Sequence, residues 1–280
     1  MIDARGTRAG KPEAQYSHRI SKLTTFRASL RERAIDWRAL SLRWQVQHGP
    51  TDIPGASMTS VRTPSRASVE RFDSIANAWD DNPTRASIAR GVANAIVEAL
   101  PLSGTERAME LGCGTGMVTA LLAASLGHVL AVDSSAGMLE VLRRKLRELG
   151  IPNVEPLEAD LARRMPAGPF DLVFSSMTLH HIEDVAGLFV RVHDRLAPGG
   201  RVAFADLARE DGSFHADDVP GVMHHGFDPE ELLRWLRAAR FVDAQVRDAH
   251  VVRKSRADGS AREYPVLLVT ARRDGDPGAQ

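Results

Sequence analysis

The chain has 280 residues, 43% hydrophobic and 26% charged, with 36 Lys and Arg balanced by 36 Asp and Glu. That is enough to bury a full α/β core, and a formal charge of zero gives no general attraction to nucleic acid or an anionic membrane. The one cysteine, Cys113, excludes a disulfide framework within the chain and a cysteine-based zinc site, and favours a reducing, cytoplasmic setting.

The first 60 residues hold ten Lys and Arg against five acids. They read as a basic N-terminal extension (1–57) ahead of a main domain (58–280), with Met58 as an alternative start. Residues 1–18 have a disordered composition. From Ile20 to Val46, Leu23, Phe26, Leu30, Trp37, Leu40 and Trp44 follow helical spacing, which predicts a basic amphipathic helix. No apolar run approaches the roughly 18–20 residues of a membrane span. The start lacks the apolar core of a secretory signal, and Glu32 and Asp36 interrupt a transit-like Arg-rich pattern. Gly49-Pro50 and Pro54-Gly55 mark a linker over 48–60.

Helical spacing returns over 69–79 and is broken by Asn82-Pro83, and a second helix spans 84–100. Strands are then expected at 108–111, 129–132, 154–157, 170–175 and 201–205, separated by helices at 117–126, 136–149 and 185–196. A helix at 229–239 and strands at 242–252 and 264–272 close the domain. Such alternation predicts a parallel α/β sheet with helices on both faces.

The run Ala108-Met-Glu-Leu-Gly-Cys-Gly-Thr-Gly-Met117 is a strand, a glycine turn and a helix start, the way an α/β sheet builds a ligand site at a strand's carboxyl end. Asp133 ends the second strand, where a carboxylate accepts hydrogen bonds from a ribose diol; capping the helix that starts near Ser135 is the alternative. Asp160 follows the third strand, placed to read the amino edge of an adenine. Two ligands compete for this architecture, NAD(P) and S-adenosylmethionine. A pyrophosphate needs a helix N-terminus open to negative charge. Glu110, two residues before the first glycine, disfavours it and suits a donor carrying an ammonium and a sulfonium.

Glu110-Leu-Gly-Cys-Gly-Thr-Gly116 resembles the first motif of class I S-adenosylmethionine-dependent methyltransferases. Ala131-Val-Asp133, Glu158-Ala-Asp160, Phe170-Asp-Leu-Val-Phe-Ser175 and Leu196-Ala-Pro-Gly-Gly-Arg-Val-Ala-Phe204 resemble its later motifs, in order. Phe72-Asp-Ser-Ile-Ala-Asn-Ala-Trp-Asp80 is similar to the opening helix of the ubiquinone/menaquinone-type enzymes. The likeness covers about 66–272. It implies a Rossmann-like seven-stranded, mostly parallel sheet whose last strand is antiparallel. By residue it implies Gly112, Gly114 and Gly116 around the donor's methionine part, with Cys113 in the same loop. It further implies Asp133 on the ribose, Asp160 and Leu161 at the adenine, the Ser175 backbone near the ammonium, and Met138 beside the adenine.

Methyl transfer from a sulfonium needs a base only where the nucleophile starts protonated. His180 and His181, after the fourth strand, and His224 and His225, before the last helix, are the candidates, at most one of each pair facing the pocket. The segment 206–228 also carries Glu210, Asp211, His215, Asp217 and Asp218. Without tight ligand spacing these read as solvated loop charge, not a metal site, and the segment reads as a substrate lid. Ser175-Ser-Met-Thr178 replaces the Asn/Asp-Pro-Pro-Tyr of amino-methylating nucleic-acid and glutamine enzymes. Cytosine-C5 and arsenic methylation need thiols that this chain lacks. A small organic acceptor methylated on O, N or C is the expectation. The alternatives are a donor-binding protein without turnover, or an NAD(P)-dependent oxidoreductase. These motifs do not encode the acceptor or the oligomeric state.

Overall fold

A computed structural model describes residues 66–215, 219–255 and 261–275. The extension 1–57, with the helix expected over 20–46, lies outside the described residues, as do Asp217 and Asp218.

The seven strands are β1 (Arg107–Leu111), β2 (His128–Asp133), β3 (Val154–Glu158), β4 (Phe170–Ser176), β5 (Leu196–Leu207), β6 (Phe241–Ser255) and β7 (Ala261–Arg273). The helices are α1 (Arg66–Ile75), α2 (Pro83–Ala99), α3 (Met117–Leu122), α4 (Ala136–Leu149), α5 (Val185–His193) and α6 (Pro229–Ala238). The strands form one sheet in the order β3-β2-β1-β4-β5-β7-β6. The first five are parallel, and β7 runs antiparallel between β5 and β6, as expected.

Central strands of a parallel sheet are buried on both faces and read as continuous apolar runs. In β1, Ala108 faces the α2–α3 layer, with Leu172, Phe174, Ala203 and Ala205. Met109 and Leu111 face the α5–α6 layer, with Val173, Val202 and Phe204. Each fully buried Phe or Leu contributes on the order of 1.5–3 kcal/mol. The edge strand β6 instead alternates, with Asp243, Arg247, Asp248, Arg253 and Lys254 blunting a free edge.

Capping sets the helix starts. Asn82 accepts from Thr84 and Arg85 amides ahead of Pro83, and Asp228 accepts from Glu230 and Glu231 amides ahead of Pro229. Two expected helices tighten before they end, since the one after β1 is α-helical only to Leu122 and α1 only to Ile75, with 3₁₀ turns beyond. The helix expected to reach Leu196 stops at His193, because Leu196 pairs with Phe170 and opens β5 ahead of a bulge.

Register positions the site. Leu111 lies level with Val132 on one side and Ser175 on the other, and Asp133 lies level with Glu158. The sheet order reverses between β1 and β4, the switch point at which α/β sheets bind ligands.

Candidate functional site

The glycine loop after β1 turns through three left-handed glycines, Gly112, Gly114 and Gly116, with φ of 63°, 53° and 73°. A Cβ on Gly112 would lie 2.3 Å from the Thr178 side chain, and one on Gly116 would lie 2.3 Å from Leu142. Close packing therefore fixes those two. Gly114 differs: a Cβ there would meet nothing within 4 Å. Its face is open, as a cradle for a ligand requires.

Asp133 holds this loop. Its Oδ2 accepts the Gly114 amide at 2.7 Å and its Oδ1 the Ser135 amide at 2.8 Å. Burial pushes the Asp133 carboxyl up, against those amide hydrogen bonds. The cap of α4 is Ser135, whose hydroxyl accepts from the Met138 amide, so Asp133 is not the cap. Beyond Asp133, a cleft of about 280 Å³ is lined by Val69, Ser134, Glu158, Ala159 and Asp160. Asp160 accepts from the Ala162 amide and lies 3.4 Å from Arg163. Leu161 is buried in the core behind it, and Met138 packs under α1 with Ala76, Phe72 and Trp79.

Glu110 is 2% exposed, and the Thr119 hydroxyl donates to its Oε2. Burial pushes its carboxyl up to about 8. Cys113 points into the core among Ala131, Leu139, Leu142 and Leu146, and burial, with Asp133 and Glu110 nearby, pushes its thiol up. Only its backbone belongs to the loop surface. The Ser175 side chain is fully buried and its Oγ has no partner.

Three charged residues whose roles sequence reasoning missed, Asp73, Asp80 and Lys145, tie α1 and the turn after it to this edge. Asp73 accepts from the Ser135 hydroxyl at 2.6 Å and the Gly137 amide at 2.8 Å. Asp80 takes the Thr115 hydroxyl at 2.5 Å and Lys145 at 2.6 Å, and Lys145 also reaches the Thr115 carbonyl at 2.7 Å. Both acids lie in the opening-helix motif, but Asp80 falls in the 3₁₀ turn Ala76–Asp81 beyond the α-helical part, so helical spacing did not announce that they serve one edge.

On the other side of the loop, the Thr178 hydroxyl donates to the Gly112 carbonyl at 3.2 Å. Two residues on, His180 is 2% exposed, its Nδ1 2.7 Å from Asp206 Oδ1. Asp206, at the end of β5, also accepts the His180 and Leu207 amides. Burial pushes Asp206 up, but the His180 imidazole together with the Leu207 and His180 amides outweighs it and holds the carboxyl below its ordinary range. His181 lies beside it with ring centroids 4.2 Å apart, its Nδ1 2.7 Å from the Gly221 carbonyl and its ring edge-on to Phe72. His215, from the segment after β5, brings a third ring 5.1 Å from that of His180. Burial, then the charge of His180, push His181 down to about 3 and His215 to about 4.

His224 and His225 stand apart from this group. The His224 Nε2 donates to the carbonyls of Ile182 and Glu183, at 2.9 and 3.2 Å, so it is a structural clip. The His225 side chain is 61% exposed, 3.7 Å from Glu210. The histidine of this segment that joins His180 and His181 is His215, which sequence reasoning had placed among solvated charges. No group of three or more metal-ligating side chains among the described residues is placed to hold a metal ion.

Residues 108–200 match a methyltransferase domain family. A methyltransferase of Mycobacterium bovis without an assigned substrate is 33% identical over 175 residues, covering 56% of this chain and 86% of that protein. The chain belongs to the class I S-adenosylmethionine-dependent methyltransferases. A trans-aconitate 2-methyltransferase of Azoarcus is 36% identical over 129 residues, 45% of this chain and 49% of that one. The solved complex of DhpI with S-adenosylhomocysteine aligns at a TM-score of 0.58 and 25% identity, covering 75% of this chain and 96% of that one. The chain spans about half the length of the trans-aconitate relative and 56% of a fission-yeast methyltransferase it also matches. The likeness to quinone-type enzymes rests on the motifs alone. For this methyltransferase, the open Gly114 face and the carboxylate acceptors of Asp133 and Asp160 fit the donor's hydrogen-bonding needs, and the enzyme uses S-adenosylmethionine.

Proposed function

We propose that this methyltransferase transfers a methyl group from S-adenosylmethionine to an O, N or C atom of a small organic acceptor, leaving S-adenosylhomocysteine. The observation that carries the reading is the Thr178–Gly112 contact, which joins the donor loop directly to a buried histidine face. The donor supplies an electrophilic methyl on a good leaving group. The chain's own task is to orient it, exclude water and hold a proton acceptor nearby.

In this reading Gly112, Gly114 and Gly116 surround the donor's methionine part and Asp133 takes the ribose through the lone pairs its amides leave free. Asp160 takes the adenine, and the Ser175 backbone lies near the ammonium. Glu110, which keeps its proton in the donor-free chain, gives it up when that ammonium arrives and then acts on it from beneath the loop. Residues 58–280 form the methyltransferase domain and 1–57 an appended segment. A small acceptor is supported by the relative named for trans-aconitate, and no helix among the described residues is long and apolar enough to cross a membrane. A cytoplasmic setting is part of the same reading, and the single thiol is compatible with it.

Calorimetry with S-adenosylmethionine, S-adenosylhomocysteine and NADH tests donor choice. Binding of the first two is expected, and binding of NADH alone would sink the proposal. Incubation with methyl-labelled donor and a metabolite extract then separates an enzyme from a donor-binding protein. Label in a small molecule is the expected result.

A further inference from the structure

Three imidazoles meet beside the donor loop, and their partners are not equivalent. His181 Nδ1 faces a neutral carbonyl, that of Gly221, and the Nε2 of His215 is buried with no partner. Only His180 has a carboxylate. Asp206 already accepts two backbone amides and is held ionised, so it offers acceptors only. The His180 Nδ1 must therefore carry a hydrogen and donate it. In the neutral ring this leaves the lone pair on Nε2.

We propose that Asp206 and His180 form an acid–base dyad: Asp206 is a positioning residue that fixes the imidazole, and His180 Nε2 takes the proton of the acceptor atom being methylated. The proposal rests on the methyltransferase reading above and adds the substrate class. The acceptor is protic, a hydroxyl or another group that must lose a proton. As the acceptor atom bonds to the methyl carbon, the carbon–sulfur bond breaks and its electron pair stays on sulfur. The acceptor proton passes to His180 Nε2 and then to water. Donor cation and neutral acceptor thus become neutral thioether, methylated product and one released proton.

Electrostatics separate the three rings by function. His181 and His215, pushed down to about 3 and about 4, are weak bases that stay neutral and spare the site extra positive charge. The charged and titratable groups facing the dyad are Asp206 from β5, His181 beside it, and His215 from the segment after β5. Lys254 of β6 and Arg71 of α1 act on His215. The backbone also fixes the dyad, because the His180 carbonyl accepts the Met223 amide at 2.8 Å and the His224 amide at 3.2 Å. A base held on both sides loses little freedom when the acceptor arrives.

The test uses the full chain saturated with S-adenosylhomocysteine; if that compound does not bind, the methyltransferase reading fails, separately from this one. Imidazole ¹⁵N spectra should show His180 protonated on Nδ1 with the lone pair on Nε2. The opposite tautomer overturns the dyad. Label transfer from methyl-labelled donor into a metabolite extract should fall by roughly 10²–10⁴-fold in His180→Gln, with product affinity kept. Asp206→Asn should lower transfer about tenfold or more and move the acid limb of the pH profile to lower pH, because loss of the carboxylate lowers the imidazole's basicity. A merely structural Asp206 would leave that limb in place, and an unmoved limb overturns the proposal. If Asp206→Asn does not fold, His180→Gln decides: retained transfer refutes the base.

Discussion

At the donor edge, one carboxylate at a strand end, Asp133, grips the backbone of a loop 19 residues earlier in the chain. At the histidine edge, a carboxylate at another strand end, Asp206, grips a side chain 26 residues earlier. Both follow from parallel register, which sets the carboxyl ends of neighbouring strands level. The difference lies in what is gripped. Amides belong to every sequence, so the donor edge is a property of the fold. An imidazole belongs to this sequence, and so does the segment that closes over it. His181 reaches across 40 residues to Gly221, and His224 across 42 to Ile182. In the reading proposed above, donor binding is therefore built into the sheet, whereas acceptor choice is laid over it by a loop.

The largest effect on donor affinity expected from breaking this contrast is at Gly114. A Cβ there meets no protein atom, so Gly114→Ala costs only the left-handed backbone, about 1–2 kcal/mol of stability. It places a methyl in the donor's cradle, and calorimetry should read a loss of S-adenosylhomocysteine affinity of about tenfold or more, above ~1.4 kcal/mol. Gly112→Ala should do the reverse. Its Cβ would collide with Thr178, so melting should fall further than in Gly114→Ala. Equal affinities in Gly114→Ala and wild type would remove the cradle from the donor side.

Next comes Asp133→Ala, which leaves the Gly114 and Ser135 amides without their acceptor. Buried unsatisfied groups cost about 1–3 kcal/mol each, so both thermal stability and donor affinity should fall. If Asp133 only bound ribose, affinity would fall while the free chain melted unchanged.

Glu110 makes the donor edge sensitive to pH. Its folded value of about 8 lies above the ordinary 4.5, so the folded chain keeps a proton that the unfolded chain releases. Between about pH 4.5 and 8, stability therefore falls as pH rises, by at most about 1.4 kcal/mol per pH unit. Below that window the contribution is fully present. Denaturant unfolding of the donor-free chain across this range should show the slope, and Glu110→Gln should flatten it. An unchanged slope would mean that Glu110 ionises freely, and the site would need another cation beside it.

How far the two edges were legible in sequence differs for the same reasons. The strand and helix order, the antiparallel seventh strand and the glycine loop were readable, because apolar runs, caps and glycine turns are local signals. The roles of Asp73, Asp80 and Lys145 were not, because each acts on an element far along the chain. Asp206 carried the same sign as Asp133 and Asp160, an acid just past a strand, but stood only as the first residue of the segment read as a lid. Of the four histidines suspected, His180 and His181 follow β4 directly, and strand register fixes their place. His224 and His225 lie in a segment with no periodicity, so nothing local distinguished a carbonyl clip and an exposed ring from the half-buried His215.

The smallest effects come from that misread pair. His224 donates to two carbonyls, so His224→Ala should cost about 1 kcal/mol of stability, the net worth of a typical hydrogen bond. Its influence on transfer should be indirect, through the Met223–His224 backbone that holds the His180 carbonyl, and a smaller rate should appear without a change in the pH profile. His225 has no such tie. Its side chain is mostly exposed, and the acid paired with it among the described residues, Glu210, lies 3.7 Å away, beyond hydrogen-bond distance. His225→Ala should stay within about 0.5 kcal/mol of wild type in unfolding, with label transfer unaltered. Should His225→Ala instead abolish transfer while His180→Gln spares it, the acceptor edge would have to be redrawn around the exposed ring, with the buried dyad left as a joint between β4 and β5.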